Sequence, residues 1–367
     1  MSRDEIIAIL RLQNVPNIGD ITAKKLISSC GSPLAIFEEK MTRLLKLDGI
    51  GSGTLKGLMD REHLEAAELE YEFIRSGEIN LHYFMEDSYP AYLKHCIDSP
   101  ILLFSQGEIN LSRQKIISIV GTRNITSYGT SFCEQFIEEL APLDPIIVSG
   151  FAYGVDICVQ RAAVKHGLQT IGCLAHGLNQ IYPKTHSKYV QDINKNGGFF
   201  TEFWSTSQPD RENFLKRNRI IAGMGEATIV VESAEKGGSL VTADIANSYN
   251  RDVFAVPGRT QDKYSSGCNN LIKQQKAQML TSAADLIYML GWDLEEKEPT
   301  IIQKQLFVEL DDTEKEIYDY LQQRGKQMLD HIALDCKLPI FKVSSILLNM
   351  EMKGVVRPLP GKLFEAI

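Results

Sequence analysis

The spacing of apolar and polar positions divides the chain into distinct regions. Between residues 111 and 290, runs rich in Val and Ile recur at 116–120, 146–148, 170–174, 199–201, 228–231, 253–256 and, more briefly, 279–281. Stretches with helical periodicity lie between them, at 130–140, 155–165, 187–194, 213–224, 240–249 and 269–276. Unbroken apolar strands alternating with helices predict an α/β fold, a doubly wound parallel sheet covered on both faces.

The flanking regions follow other patterns. Residues 1–80 read as short helices with tight glycine turns. Val15-Pro16-Asn17-Ile18-Gly19 and Leu47-Asp48-Gly49-Ile50-Gly51 each follow an apolar helical stretch and precede another, at 23–27 and 55–58. This is the pattern of helix-hairpin-helix modules, in which glycine permits the turn and the next helix offers N–H groups to a phosphate. A plain helix-turn-helix pair in a small bundle is the alternative, and the acidic surroundings favour a structural use. Residues 81–110 are expected to be a connector packed on the following domain, with turns at Tyr89-Pro90 and Ser99-Pro100 and a short strand at 101–104. The segment 291–307 reads as an acidic linker. Residues 308–367 predict helices at 312–323, 328–335 and 340–353, then a hairpin, 355–359 and 362–366, about Pro360-Gly361. Three helices and a hairpin form the winged-helix pattern. Helix 340–353 carries only Lys342 and Lys353 as cations, against Glu351. A protein-contact role is therefore expected for it over duplex reading.

Composition narrows the classes. A chain of 367 residues that is 44% hydrophobic and 23% charged is an ordinary globular mixture, which excludes collagen-like and disordered chains. No window holds 18 uncharged apolar residues, so no transmembrane helix is expected. The N-terminal segment mixes acids with apolar residues and lacks a signal-peptide core, so a cytoplasmic location is expected. The seven cysteines are scattered without a CxxC, which suggests neither a zinc ribbon nor a disulfide framework. The net charge of −8 argues against a surface coated for duplex DNA. The acidity is uneven, however: residues 111–290 carry 18 Lys and Arg against 16 Asp and Glu, and every other block is acidic. A polyanion ligand is expected in that middle block.

Ligands of open α/β sheets bind beyond the carboxyl ends of the strands. The segments found there carry small residues, hydroxyls and cations. They are Gly121-Thr122-Arg123, Ser149-Gly150 leading to Gly154 and Asp156, His176-Gly177 with Tyr182-Pro183-Lys184, Glu232 leading to Gly237-Gly238-Ser239 and Thr242, and Pro257-Gly258-Arg259. Several anion-friendly loops on one rim predict an anion site. The stretch 213–223 adds a helix on which Phe214, Arg217 and Asn218 share one face and Lys216 and Arg219 another. An aromatic ring with cations is what a platform for single-stranded nucleic acid requires.

Other chemistries lack their signatures. The chain has no GxxxxGK[ST], no GxGxxG, no HExxH and no ligand spacing among its seven histidines. Neither an NTPase, a dinucleotide cofactor nor a metal is therefore suggested, and no cofactor is expected. Asp156 and Glu232 are the candidate general bases, although carboxylates in such loops more often orient their neighbours.

At these residues the sequence resembles the bacterial DNA-processing protein A (DprA/Smf) family. The motifs are IVGTRNITSYG (119–129), VSGFAYGVD (148–156), HGL with IYPKTH (176–186), FLKRNRIIAG (214–223), ESAEKGGSLVTADIA (232–246) and AVPG (255–258), in order. The resemblance implies an extended Rossmann-like core that binds single-stranded DNA, flanked by helix-hairpin-helix and winged-helix domains. The division would be 1–80, 81–290, the linker 291–307 and 308–367. It implies no catalysis but protection of incoming single strands in natural transformation and loading of a RecA-type recombinase onto them. It further implies a homodimer formed through the core. Carried over by motif, Gly121, Arg123, Ser149, Gly150 and Lys184 would hold phosphate. Phe214, Lys216, Arg217, Asn218 and Arg219 would supply the helix face, and Gly237, Gly238 and Ser239 would complete the rim. His186 departs from the family's usual asparagine. The fold also resembles nucleotide-hydrolysing phosphoribohydrolases, and a nucleotide-binding or nucleotide-hydrolysing enzyme is the alternative reading. The stretch 236–243 keeps their glycine pair and threonine but lacks the catalytic glutamate of their PGGxGTxxE loop.

Overall fold

A computed structural model describes residues 1–112, 115–292, 310–359 and 363–367. These residues form two compact units, Met1–Leu294 and Glu295–Ile367. Most of the linker expected at 291–307, and the Pro360-Gly361 turn, lie outside the described residues.

The N-terminal helices are α1 (Arg3–Asn14), α2 (Asp20–Cys30), α3 (Pro33–Glu38), α4 (Met41–Leu44) and α5 (Arg61–Ser76). Their starts and stops follow local chemistry. Ser2 caps α1 and Ser32 caps α3, while Gly31 ends α2 at φ 92°. The first glycine hairpin forms as expected between α1 and α2. The second departs from expectation, because residues 55–58 make turns in place of a helix. Gly51, Gly53 and Gly57 lie close together there, and Gly57 sits at φ +81°, so a helix cannot propagate. Leu55 and Leu58 are nevertheless buried.

The sheet begins with β1 (Asn80–Tyr83), followed by α6 (Ala91–Lys94) and β2 (Leu102–Gly107). Next come β3 (Ile116–Val120), α7 (Ser127–Leu140), β4 (Ile146–Ser149), α8 (Val155–Lys165), β5 (Thr170–Cys173), α9 (Ser187–Lys195), β6 (Gly197–Thr201), α10 (Arg211–Met224) and β7 (Ala227–Val230). The unit closes with α11 (Gly238–Ser248), β8 (Asp252–Ala255), α12 (Ser266–Lys273), β9 (Gln278–Met279) and α13 (Ala283–Met289). The sheet has nine strands in the order β1-β2-β6-β5-β4-β3-β7-β8-β9. Strands β3 to β9 pair in parallel, as the apolar runs predict. β1 and β2 add an antiparallel edge beside β6, and β1 is not visible in the sequence pattern. The sequence moves outward from β3 through β4 to β6, then returns to place β7 on the other side of β3. That reversal opens a crevice at the carboxyl ends of β3, β4 and β7.

Both faces of the sheet are covered. Ile117 and Ile119 of β3 face a core built with α7, α8 and α13, while Ile116 and Val120 face one built with α10, α11 and α12. Ser118 is the polar exception, and its hydroxyl donates to Ile221 O (2.6 Å). The N-terminal helices pack into a third core that includes Leu102 and Phe104 of β2, and so belong to the same compact unit as the sheet.

The second unit holds α14 (Asp312–Arg324), β10 (Gln327–Met328), α15 (Leu329–Asp335), α16 (Ile340–Met352), β11 (Val356–Leu359) and β12 (Leu363–Ala366). Its three strands pair in the order β10-β12-β11 behind a core of Ile317, Leu321, Ile332, Val343 and Leu347. This is the winged-helix arrangement expected. No helix among the described residues is long and apolar enough to cross a membrane.

Candidate nucleic-acid interface

The loops beyond the strand ends enclose an open groove of about 700 Å³. The loop after β3 contributes Gly121, Thr122, Arg123 and Asn124, and the loop after β5 contributes Tyr182. α10 contributes Arg211, Phe214, Arg217 and Asn218, and the start of α11 contributes Gly237, Gly238, Ser239 and Thr242. Lys263 and Tyr264, beyond β8, form the far wall.

α10 is placed by its cap. The Asp210 carboxylate accepts from Asn213 N (2.8 Å), and the helix then turns Phe214, Arg217, Asn218 and Ile221 into the groove. The Arg123 guanidinium lies over the Phe214 ring, 5.0 Å from its centroid, and Tyr182 lies 5.8 Å away in a tilted arrangement. Arg123 is exposed and makes no ion pair among the described residues. An aromatic pair beside an available cation is therefore fixed at the groove floor.

Arg217 has a different role. It is buried, and its Nη1 donates to Gly150 O (2.7 Å) and to Cys173 O, tying α10 to the ends of β4 and β5. Asp156 is buried beside it and accepts from Ala152 N (3.3 Å). Burial pushes the Asp156 carboxyl upward, and the Arg217 charge pulls it back. Gly150 leaves room for this pair: a Cβ there would lie 2.6 Å from Asp156 Oδ2 and 2.7 Å from the Arg217 guanidinium. The loop carries its own amides inward as well, with Val155 N donating to Thr122 O (3.1 Å) and Ile157 N to Ala152 O (3.2 Å). At Gly154, φ is +79° and a side chain would run into the Thr122 carbonyl.

The remaining candidates divide. Gly121, Arg123, Phe214, Arg217, Asn218, Gly237, Gly238 and Ser239 line the groove together. Gly150 lines a small recess beside it, with Arg123, His176, Tyr182 and Phe214. Ser149, Lys184, Lys216 and Arg219 line neither. Ser149 is fully buried and donates to Ile119 O (2.7 Å). Lys184 is exposed on the loop that carries Tyr182. Lys216 (3.1 Å) and Arg219 both pair with the buried Glu202, on the opposite side of α10 from Phe214.

His186 is built into the loop packing. Its Nδ1 lies 3.0 Å from Phe151 O, and its ring meets Phe151 and Tyr153 edge-on at 5.2 and 4.9 Å. The two candidate bases are both engaged, Asp156 as described and Glu232 by Thr126, whose N–H (2.9 Å) and hydroxyl (2.5 Å) donate to its two oxygens. Among the described residues no cluster of three or more His, Cys, Asp or Glu could hold a metal ion.

Arg211, Tyr264 and Lys263 join the site without a place in the sequence motifs, and Tyr182 joins it as a ring rather than as a turn residue. Arg211 stands three residues before Phe214, on the same helical face, so its spacing carries a usable signal. Lys263 and Tyr264 carry none, because only the folding of their loop brings them to α10.

Known proteins are similar to this chain in sequence and architecture. Residues 80–291 match the family described as DNA recombination-mediator protein A, and residues 305–362 match the DprA winged helix domain. The chain is 36% identical to the DNA processing protein DprA of Bacillus subtilis over 240 residues, 65% of this chain and 80% of that protein. The crystal structure of DNA processing protein A from Streptococcus pneumoniae superposes with a TM-score of 0.67 at 28% identity, covering 78% of this chain and 98% of that one. A structure of DNA processing protein A from Helicobacter pylori superposes at 0.53 with 28% identity, covering 58% of this chain and 96% of that one. With its family domain spanning the sheet and its groove, this chain belongs to the DNA processing protein A (DprA/Smf) family.

Proposed function

We propose that this protein binds single-stranded DNA in the groove, protects incoming strands and hands them to a RecA-type recombinase in transformation and recombination. The observation that carries the reading is the Arg123–Phe214–Tyr182 floor, a guanidinium over one ring with a second ring tilted against it, with exposed Arg211 and Lys263 at the walls. Bases stack on such rings without regard to sequence, and the cations and the first-turn N–H groups of α11 meet the backbone. A relative from H. pylori has a structure that describes its single-stranded DNA binding mode, which supports the same use here. This reading assigns no turnover: Asp156 accepts from Ala152 N and Glu232 from Thr126, as carboxylates that orient loops do.

The protein acts as a cytoplasmic homodimer in this reading. Its winged-helix unit serves protein contact: α16 presents Phe341, Leu348 and Met352 to solvent, 78%, 58% and 83% exposed, where duplex readers carry cations.

The test is fluorescence anisotropy with labelled oligo-dT at two salt concentrations, comparing wild type with Arg123→Ala and Lys184→Ala. Wild type should prefer single strand to duplex, Arg123→Ala should lose most of that binding, and Lys184→Ala should weaken it. Absence of wild-type binding, or full binding by Arg123→Ala, would overturn the assignment.

A further inference from the structure

Beyond Lys263 and Tyr264 lies a second concavity of about 660 Å³. These two residues line both basins, so the loop after β8 is a saddle between them. Thr126, Ser127 and Tyr128 from the start of α7 form one wall of the second basin, and Arg259 and Ser265 form the other.

The chemistry repeats that of the groove. Tyr128 is 51% exposed, and its hydroxyl is already spent on Pro257 O (3.0 Å), so the ring is held in place and only its apolar face remains free. Arg259 and Lys263 are exposed and make no ion pair among the described residues. The Lys263 ammonium lies 5.5 Å from the Tyr264 ring centroid, as Arg123 lies over Phe214. Two acids share the basin. Glu232 is buried and bonded through both oxygens to Thr126, while Asp262 is exposed. An anion therefore fits the Arg259–Lys263 side.

We propose that this basin is a second nucleotide subsite, which takes the continuation of the strand held in the first groove. This rests on the single-strand reading given above. The strand crosses at Lys263, which holds the bridging phosphate. The next base stacks on Tyr128, and Arg259 meets the phosphate that follows.

The experiment uses the full chain and two labelled oligo-dT probes, of about 4 and about 12 nucleotides. Arg259→Ala with Tyr128→Leu should weaken the long probe roughly tenfold, as removal of one stacked base and one phosphate partner predicts, and leave the short probe unchanged. Photo-crosslinking of a 5-iodo-deoxyuridine oligonucleotide to wild type should label Tyr128 or Tyr264 as well as Tyr182 or Phe214. Wild-type affinity of the variant for the long probe, or adducts confined to Tyr182 and Phe214, would overturn the second subsite and leave the groove assignment standing. Failure of wild type to bind either probe would overturn both.

Discussion

Arg219 Nη2 lies 2.9 Å from Asp20 Oδ2, joining the first turn of α2 to the helix that carries the groove's aromatic and cationic face. The same guanidinium pairs with Glu202, and Asp20 Oδ1 accepts from Ile101 N (2.9 Å). The N–H-rich start of α2, which the sequence offers as a phosphate cradle, is thus turned onto the sheet unit by its own carboxylate.

Removing Arg219 leaves Glu202 buried without its main partner. Arg219→Ala should therefore lower stability by about 3–5 kcal/mol, measured by chemical denaturation at neutral pH. Lys216→Ala, whose side chain is 53% exposed, should cost about 1 kcal/mol or less. Burial already raises the Glu202 pKa, and loss of Arg219 raises it further. A raised folded-state pKa means that stability declines as pH climbs past the unfolded value of about 4.3. The Arg219→Ala deficit should accordingly shrink as pH falls towards about 4. Equal losses for the two variants would contradict this assignment.

Stacking and charge at the groove floor are separable. Phe214→Ala should weaken oligo-dT binding by about 1–3 kcal/mol while leaving its salt dependence unchanged. Arg123→Ala should also flatten the slope of log affinity against log salt by roughly 0.7, the share of a single neutralised phosphate on a single strand. Titrations at several salt concentrations distinguish the two. A slope unchanged in Arg123→Ala would mean that Arg123 touches no phosphate.

Gly154 allows the loop after β4 to close on the loop after β3. Gly154→Ala must hold a side chain at φ +79° against the Thr122 carbonyl, so it should destabilise the fold by about 1–3 kcal/mol. Gly238→Ala meets nothing within 4 Å and should change thermal stability little. Scanning calorimetry of the two variants checks the contrast.

His176 is buried and held neutral. Burial lowers its pKa, and its Nδ1 lies 2.9 Å from Gly177 O. A depressed folded-state pKa contributes stability that is present above the unfolded value of about 6.5 and is lost as pH falls below it. His176→Gln removes that component. Between pH values of about 7.5 and 5.5, wild type should lose more stability than His176→Gln, as read from denaturation midpoints. Parallel losses would show that His176 does not titrate on unfolding.

Much of the architecture is legible in the chain. Parallel strands buried on both faces must be apolar at nearly every position, so β3, β4 and β7 stand out as apolar runs. The helices between them carry the complementary period. The rule that ligands meet the carboxyl ends of strands then locates the groove, and local spacing alone picks out Gly121, Arg123, Phe214, Arg217 and Asn218. β1 escapes notice because an edge strand of four residues, with only one buried, has no period to detect.

What the chain cannot express is where each charge is spent. Arg217 and Arg219 stand two residues apart on one helix, and both read as phosphate ligands. The fold gives one to the carbonyls of Gly150 and Cys173 and the other to Asp20 and Glu202, partners 17 to 199 residues away in sequence. Burial makes those pairings compulsory, since an unpartnered guanidinium in the interior costs more than the helix can offset. Arg123, left in solvent over an aromatic ring, keeps its charge for a ligand. Local pattern determined which segments form strands and helices and which end of the sheet carries the groove. Desolvation, which depends on the whole packed structure, decided which of the cations remained free to do so.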